Sequence, residues 1–133
     1  MSPEEARELF ASARIARLAT AGADGVPHIV PLVFAVHGDT IFSAVDPKPK
    51  ATSDLKRLRN VAANPRVALL ADHYDDADWD ALWWVRADGA GRVLDAAPDA
   101  VALLRARYAQ YRDTPPDGPV LAVDVRRWSG WRA

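Results

Sequence analysis

Six basic side chains fall between positions 46 and 66: Lys48, Lys50, Lys56, Arg57, Arg59 and Arg66, against only Asp46 and Asp54. The 133-residue chain carries a formal net charge of −1. Its positive charge is therefore concentrated, and a concentration of this kind points to an anionic ligand. Pro47 and Pro49 stiffen the approach. Thr52, Ser53 and Asp54 are helix-capping residue types, and Leu55, Leu58 and Ala62 give the helix that follows one apolar side. A stiff basic loop running into a helix N-terminus directs lysine charge and free backbone N–H groups the same way. This predicts an anion cradle.

Other chemistries find less support. Without cysteine there is no disulfide, thiolate metal site or cysteine nucleophile. Ser43, Ser53 and Ser129 sit in no G-x-S-x-G context, and no G-x-G-x-x-G or P-loop is present. No pair of glutamates presents itself for acid–base work, so no catalytic residue is assigned. Asp72, Asp75, Asp76, Asp78 and Asp80 are spaced somewhat like the ligands of a calcium loop. They lack its glycine and closing glutamate, and His73, Tyr74 and Trp79 interrupt them, so they read as a solvated or interface loop. His28 and His37 lie on a different hairpin from His73, and no metal site is assigned. The near-neutral charge and the absence of aromatic residues from the basic stretch argue against nucleic acid. Trp83 or Trp84 reads as packing. Trp128 and Trp131, near one end, read as cover for an aromatic ligand or a neighbouring subunit. An anion-bearing, flat, aromatic ligand satisfies these features, and a bound redox cofactor fits that description.

The elements that must position these residues are short. Ser2-Pro3-Glu4-Glu5 is a capping box opening a helix with Ala6, Leu9, Phe10 and Ala13 on one stripe. Strands are predicted at Arg14–Thr20, Val26–Val36, Thr40–Val45, Val67–Ala71, Leu82–Leu94 (interrupted at Asp88–Gly91 by a turn or bulge) and Val120–Val125. Asp24-Gly25 and His37-Gly38-Asp39 mark the first hairpins. Pro27 and Pro31 inside the second strand suit an edge or a backbone that faces a ligand near Val30, Pro31 and Leu32. A further helix is predicted at Pro98–Tyr111. The pattern is mainly β with flanking helices: one domain over residues 1–133, a six-stranded antiparallel barrel. No apolar run approaches the roughly 20 residues of a membrane span, and the N-terminus reads as a charged helix. The expectation is a soluble cytoplasmic protein.

The stretch ARLATAGADGVPHIVPLVFAV, the short strand and basic loop after it, and LRNVAANPRVALL together resemble the split β-barrel flavin and deazaflavin proteins, the pyridoxamine 5'-phosphate oxidase-like superfamily. The G-x-P-x-x-x-P strand (Gly25, Pro27, Pro31) and the N-x-x-x-N-P-R-V helix end (Asn60, Asn64, Pro65, Arg66, Val67) carry the likeness. DHYDDADWDALWWVRADGAGRV and the closing WSGWR resemble its actinobacterial branch of enzymes using coenzyme F420. The resemblance implies an FMN-binding-like split barrel, homodimeric, with two cofactor sites at the subunit interface. Backbone at Val30, Pro31 and Leu32 would border the ring. Lys48, Lys50, Thr52 and Lys56, with Arg57 and Arg59, would hold the phosphate, and Trp131 would lie near the ring or the other subunit. The implied activity is hydride transfer between F420 and a small reducible organic substrate. FMN-dependent oxidase or reductase chemistry, or non-catalytic cofactor carriage, stands as the alternative. Six cations exceed what one phosphate needs and favour F420, with its phosphate and polyglutamate tail.

Overall fold

The computed structural model describes residues 1–45 and 52–133. The order of elements is α1 (Pro3–Ser12), β1 (Ala16–Ala21), β2 (Pro27–Leu32), β3 (Ala35–His37), β4 (Thr40–Ala44), α2 (Thr52–Ala63), β5 (Arg66–His73), a 3-10 turn (Trp79–Ala81), β6 (Trp83–Leu94), α3 (Pro98–Arg107), α4 (Ala109–Asp113) and β7 (Val120–Arg132). The capping box forms as expected: Ser2 Oγ accepts the Glu5 N–H at 3.1 Å, and Ala6 and Phe10, one turn apart, are buried. At the first hairpin Asp24 Oδ1 accepts the Val26 N–H at 3.1 Å, and Gly25 takes a φ of 73° that a side chain would resist.

The strands make one antiparallel sheet in the order β2-β1-β5-β6-β7-β4-β3. Its two edges, β2 and β3, are consecutive in the chain and joined only by Val33 and Phe34. A two-residue link spans less than about 10 Å, so the sheet must curl until its edges nearly touch. They do not pair. This is a barrel with one open seam.

There are seven strands rather than six, because the run Val26–Val36 breaks at Val33-Phe34. The reason is a set of side chains that takes over the backbone there. The Tyr108 hydroxyl accepts the Phe34 N–H at 3.2 Å and donates toward Phe34 O at 2.9 Å and Arg14 O at 3.1 Å. Ser43 Oγ donates to Val33 O at 2.8 Å. With their hydrogen bonds met by side chains, these residues leave the ladder, and Phe34 turns its ring into the core. The predicted helix Pro98–Tyr111 breaks at the same place: Tyr108 is extended (φ −122°, ψ 123°), which separates α3 from α4 and frees the hydroxyl for the corner. Arg107 bonds the carbonyls of Ala11 and Ala13, and its guanidinium lies 4.8 Å from the Phe34 ring centroid.

The last strand also runs further than expected, to Arg132 instead of Val125. It pairs with the whole of β6, so Trp128 and Trp131 belong to a strand and not to a loose end. The break at Asp88–Gly91 is a bulge, with the register shifting between Asp88 and Gly89. A Cβ at Gly89 would stand 2.3 Å from the Asp124 carbonyl oxygen, which is why glycine is needed there.

The main core fills the concave side of the sheet around Phe10, Phe34, Leu18, Ile41 and Leu69. Phe10 meets the Phe34 ring at 4.8 Å and the Trp128 ring at 5.5 Å. Trp128 is therefore a core residue, against the expectation that it covers a ligand. Its indole N–H donates to Asp39 Oδ1 at 3.0 Å. That bond, followed by Arg7, holds the Asp39 carboxyl below the usual carboxylate range. Trp83 packs against this core and Trp84 is exposed. A second cluster, with Ala44, Leu104, Tyr108, Tyr111 and Val120, seats α3 and α4 on β3 and β4. Among the described residues no helix is long and apolar enough to cross a membrane.

Replacing Tyr108 by phenylalanine keeps the ring and removes the hydroxyl, leaving the buried Phe34 N–H without its partner. The expected loss of stability is about 1–3 kcal/mol, read from chemical or thermal unfolding, whereas the exposed Tyr74→Phe should be near neutral.

Candidate functional site

The open seam of the barrel forms a recess of about 240 Å³. The end of β2 (Pro31, Leu32) and the corner residue Val33 make one wall, and the end of β4 (Ser43, Ala44) makes another. Arg57 enters from α2, and Ile15 and Tyr111 complete the lining. Sites that bury an entire small ligand usually enclose about 300–1,000 Å³. The recess in one chain is smaller than that and suits part of a larger ligand.

Arg57 is the distinctive group. It is only 6 % exposed, while its neighbours Lys56 and Arg59 point to solvent. The helix period explains the difference. Arg57, Asn60 and Val61 share the face that packs on the sheet, whereas position 59 falls on the opposite side and position 56 at the edge of that face, where both side chains are exposed. A guanidinium presents five N–H donors in a fixed fork, the geometry that matches phosphate and carboxylate, and burial strengthens such a contact by excluding water. Ser43 shares the recess, but its proton is committed to Val33 O, so it shapes the wall and can only accept from a ligand.

The residues singled out from sequence separate into groups. Pro31 and Leu32 line the recess, whereas Val30 packs partly buried against the core one residue earlier. Arg57 lines it too. Lys56 and Arg59 do not, for the helical reason just given. Lys48 and Lys50, and the side chain of Thr52, lie outside the described residues. Trp131 pairs with Trp84 at the far end of β7, whereas Ala44 of the recess pairs with Val120 at the near end. At about 3.3 Å per residue the two ends are roughly 36 Å of strand apart. Trp131 does not line the recess of its own chain. Ser43, Val33, Ile15 and Tyr111 were not anticipated. Ser43 and Tyr111 looked like ordinary strand and helix residues, and only the curl of the sheet brings them together.

The acidic loop is built by its own carboxylates. Asp75 Oδ1 accepts the Ala77 N–H at 2.9 Å, Asp78 Oδ1 accepts the Asp80 N–H at 3.2 Å, and Asp76 accepts the Tyr74 hydroxyl at 2.8 Å. Among the described residues no three histidine or carboxylate side chains group as metal ligands.

The family model for pyridoxamine 5'-phosphate oxidase matches residues 2–132. The chain belongs to this family. Solved structures agree on the fold. A conserved hypothetical protein, Rv2991 from Mycobacterium tuberculosis, superposes with a TM-score of 0.77 at 22% identity, over 99% of this chain and 85% of that one. An FAD-binding protein from Mesorhizobium loti gives 0.71 at 21%, over 98% and 94%. The heme storage protein HutZ from Vibrio cholerae gives 0.71 at 17%, over 99% and 95%. No curated protein matches the chain. The fold is thus shared by proteins named for different ligands, and it does not choose among them.

An anion held by Arg57 would stabilise the folded chain by mass action. Inorganic phosphate is expected to raise the melting temperature of the wild type in a saturable way. Arg57→Met, which keeps the aliphatic stem, should abolish the rise, and Arg59→Met should retain it; differential scanning fluorimetry at constant ionic strength reads all three.

Proposed function

We propose that this protein is an oxidoreductase that binds coenzyme F420 in the barrel seam and uses it to exchange a hydride with a small reducible organic substrate. The observation that carries this reading is the buried Arg57, which with the proline-marked end of β2 lines a recess too small for a complete ligand. Arg57 would take the phosphate. The backbone of Pro31, Leu32 and Val33 would lie along the ring, with the Pro31 nitrogen unable to recruit a further strand. Lys48 and Lys50, close before α2 in sequence, would meet the anionic tail. When bound, F420 supplies the two-electron chemistry. The chain's own residues hold it, orient it and keep water from one side, and no side chain is assigned as proton donor.

A second copy would complete the half-site, in a cytoplasmic homodimer. One face of the sheet supports this reading. By register Ile29, Leu70, Trp84 and Trp131 share it, and all four are exposed, Ile29 by 67 %. Arg17, Asp72, Arg86 and Asp88 lie between them on the same face, in two ion pairs, so a partner would meet apolar side chains interleaved with charge, a mixture usual for protein interfaces. On a second chain, Trp131 would approach the recess that it does not line in its own.

FMN in the same site is the second reading, favoured by the relatives named as FAD-binding. Parallel titrations with F420 and FMN, followed by fluorescence, separate the two. The expectation is saturable F420 binding tighter than FMN binding, weakened by the double variant Lys48→Ala/Lys50→Ala most strongly at low salt. Reduced F420 should then be oxidised in the presence of a member of a quinone and enone panel. Tighter FMN binding transfers the proposal to the flavin. Binding of neither sinks it, and binding without turnover across the panel leaves a cofactor carrier.

A further inference from the structure

The polar side chains buried among the described residues are Thr20, Ser43, Arg57 and Asn60. Two of them, Ser43 and Arg57, line the recess. The other two bond each other: Asn60 Nδ2 donates to Thr20 Oγ1 at 3.1 Å, with Asn60 9 % and Thr20 4 % exposed. Arg57 and Asn60 are three residues apart on α2 and project from the same helix face. Apolar contacts from Leu58 and Val61 hold this helix to the core, but such contacts are non-directional and leave its rotation loosely set. A buried amide bonded to a hydroxyl on β1 sets it. β1 is a firm anchor because it pairs on both sides, with β2 and with β5. The fit is close: a Cβ added to Gly22, just past β1, would stand 2.7 Å from Asn60 Oδ1.

We infer that Asn60 and Thr20 are positioning residues that fix the rotation of α2 and so hold the Arg57 guanidinium in the recess. The inference rests on the proposed role of Arg57 as phosphate ligand. It gives the Asn60–Thr20 bond a part in binding beyond its part in stability, since a charge-assisted contact loses strength steeply when its donor fork is displaced.

The test compares Thr20→Val, Thr20→Ser, Gly22→Ala, Arg57→Met and the double variant Thr20→Val/Arg57→Met. Each is titrated with F420 and with FMN at two salt concentrations, and melting is recorded alongside. Thr20→Val is expected to weaken binding about tenfold and to flatten its salt dependence, because the guanidinium no longer engages fully. Thr20→Ser keeps the acceptor and should restore wild-type binding. Gly22→Ala, which displaces Asn60 without removing a polar group, should reproduce the loss, and it carries the test if Thr20→Val does not fold. Adding Thr20→Val to Arg57→Met should cost nothing more, since both act through one contact. If Thr20→Val and Gly22→Ala lower the melting temperature yet leave affinity and salt dependence unchanged while Arg57→Met weakens binding, the positioning role is wrong and the Arg57 reading stands. Additive losses in the double variant also overturn it. If Arg57→Met binds like wild type, or neither ligand binds the wild type, the phosphate role of Arg57 fails and this inference falls with it.

Discussion

The edges of a seven-stranded sheet must come together here without joining. If β2 and β3 paired, the barrel would close and no recess would exist. Open edges with unmet backbone groups, on the other hand, would be costly inside the protein and prone to pairing with other chains. The fold resolves this at Val33 and Phe34. Tyr108 serves the Phe34 N–H and carbonyl, and Ser43 serves the Val33 carbonyl. Two side chains thus replace a missing strand neighbour over two residues, and the seam stays open beside them. The breaks in strand and helix that surround this point are one event. The chain interrupts α3 at Tyr108 in order to interrupt the sheet at Phe34.

Much of this frame was legible in the sequence. Alternating apolar residues, Asp24-Gly25, Gly38 and the Ser2–Glu5 capping box reflect local physics, and local physics fixed their elements. The breaks were not legible, because Val33 and Phe34 are as apolar and strand-prone as their neighbours. Their departure is caused by a tyrosine 74 positions away in sequence. The length of β7 was hidden for a similar reason. The predicted strand ended at Val125, yet β6 supplies a partner for each residue from Trp128 to Arg132.

Of the residues singled out in the sequence, Pro31, Leu32 and Arg57 line the recess, and Val30, Lys56, Arg59 and Trp131 do not. A run of basic residues directed attention to α2 and the segment before it, but charge counted along a chain does not say which cations face inward. Helical periodicity does. Arg57 shares a face with Val61 and is buried, whereas Lys56 and Arg59 remain in solvent where screening reduces their hold on any ligand. The resemblance implied that Trp131 lies near the ring or the other subunit, and within one chain it stands at the end of β7 away from the recess. That displacement, the small recess and the exposed face bearing Ile29 and Trp84 are three aspects of a site proposed to be shared between two copies.

The central claim, that the barrel seam is a phosphate-anchored cofactor site, is tested most directly by a crystal structure of the protein grown with F420 or FMN. The account predicts cofactor phosphate oxygens within hydrogen-bond distance of the Arg57 guanidinium and the ring lying along Pro31–Val33. A cofactor bound elsewhere, with Arg57 making no contact to its phosphate, would contradict it.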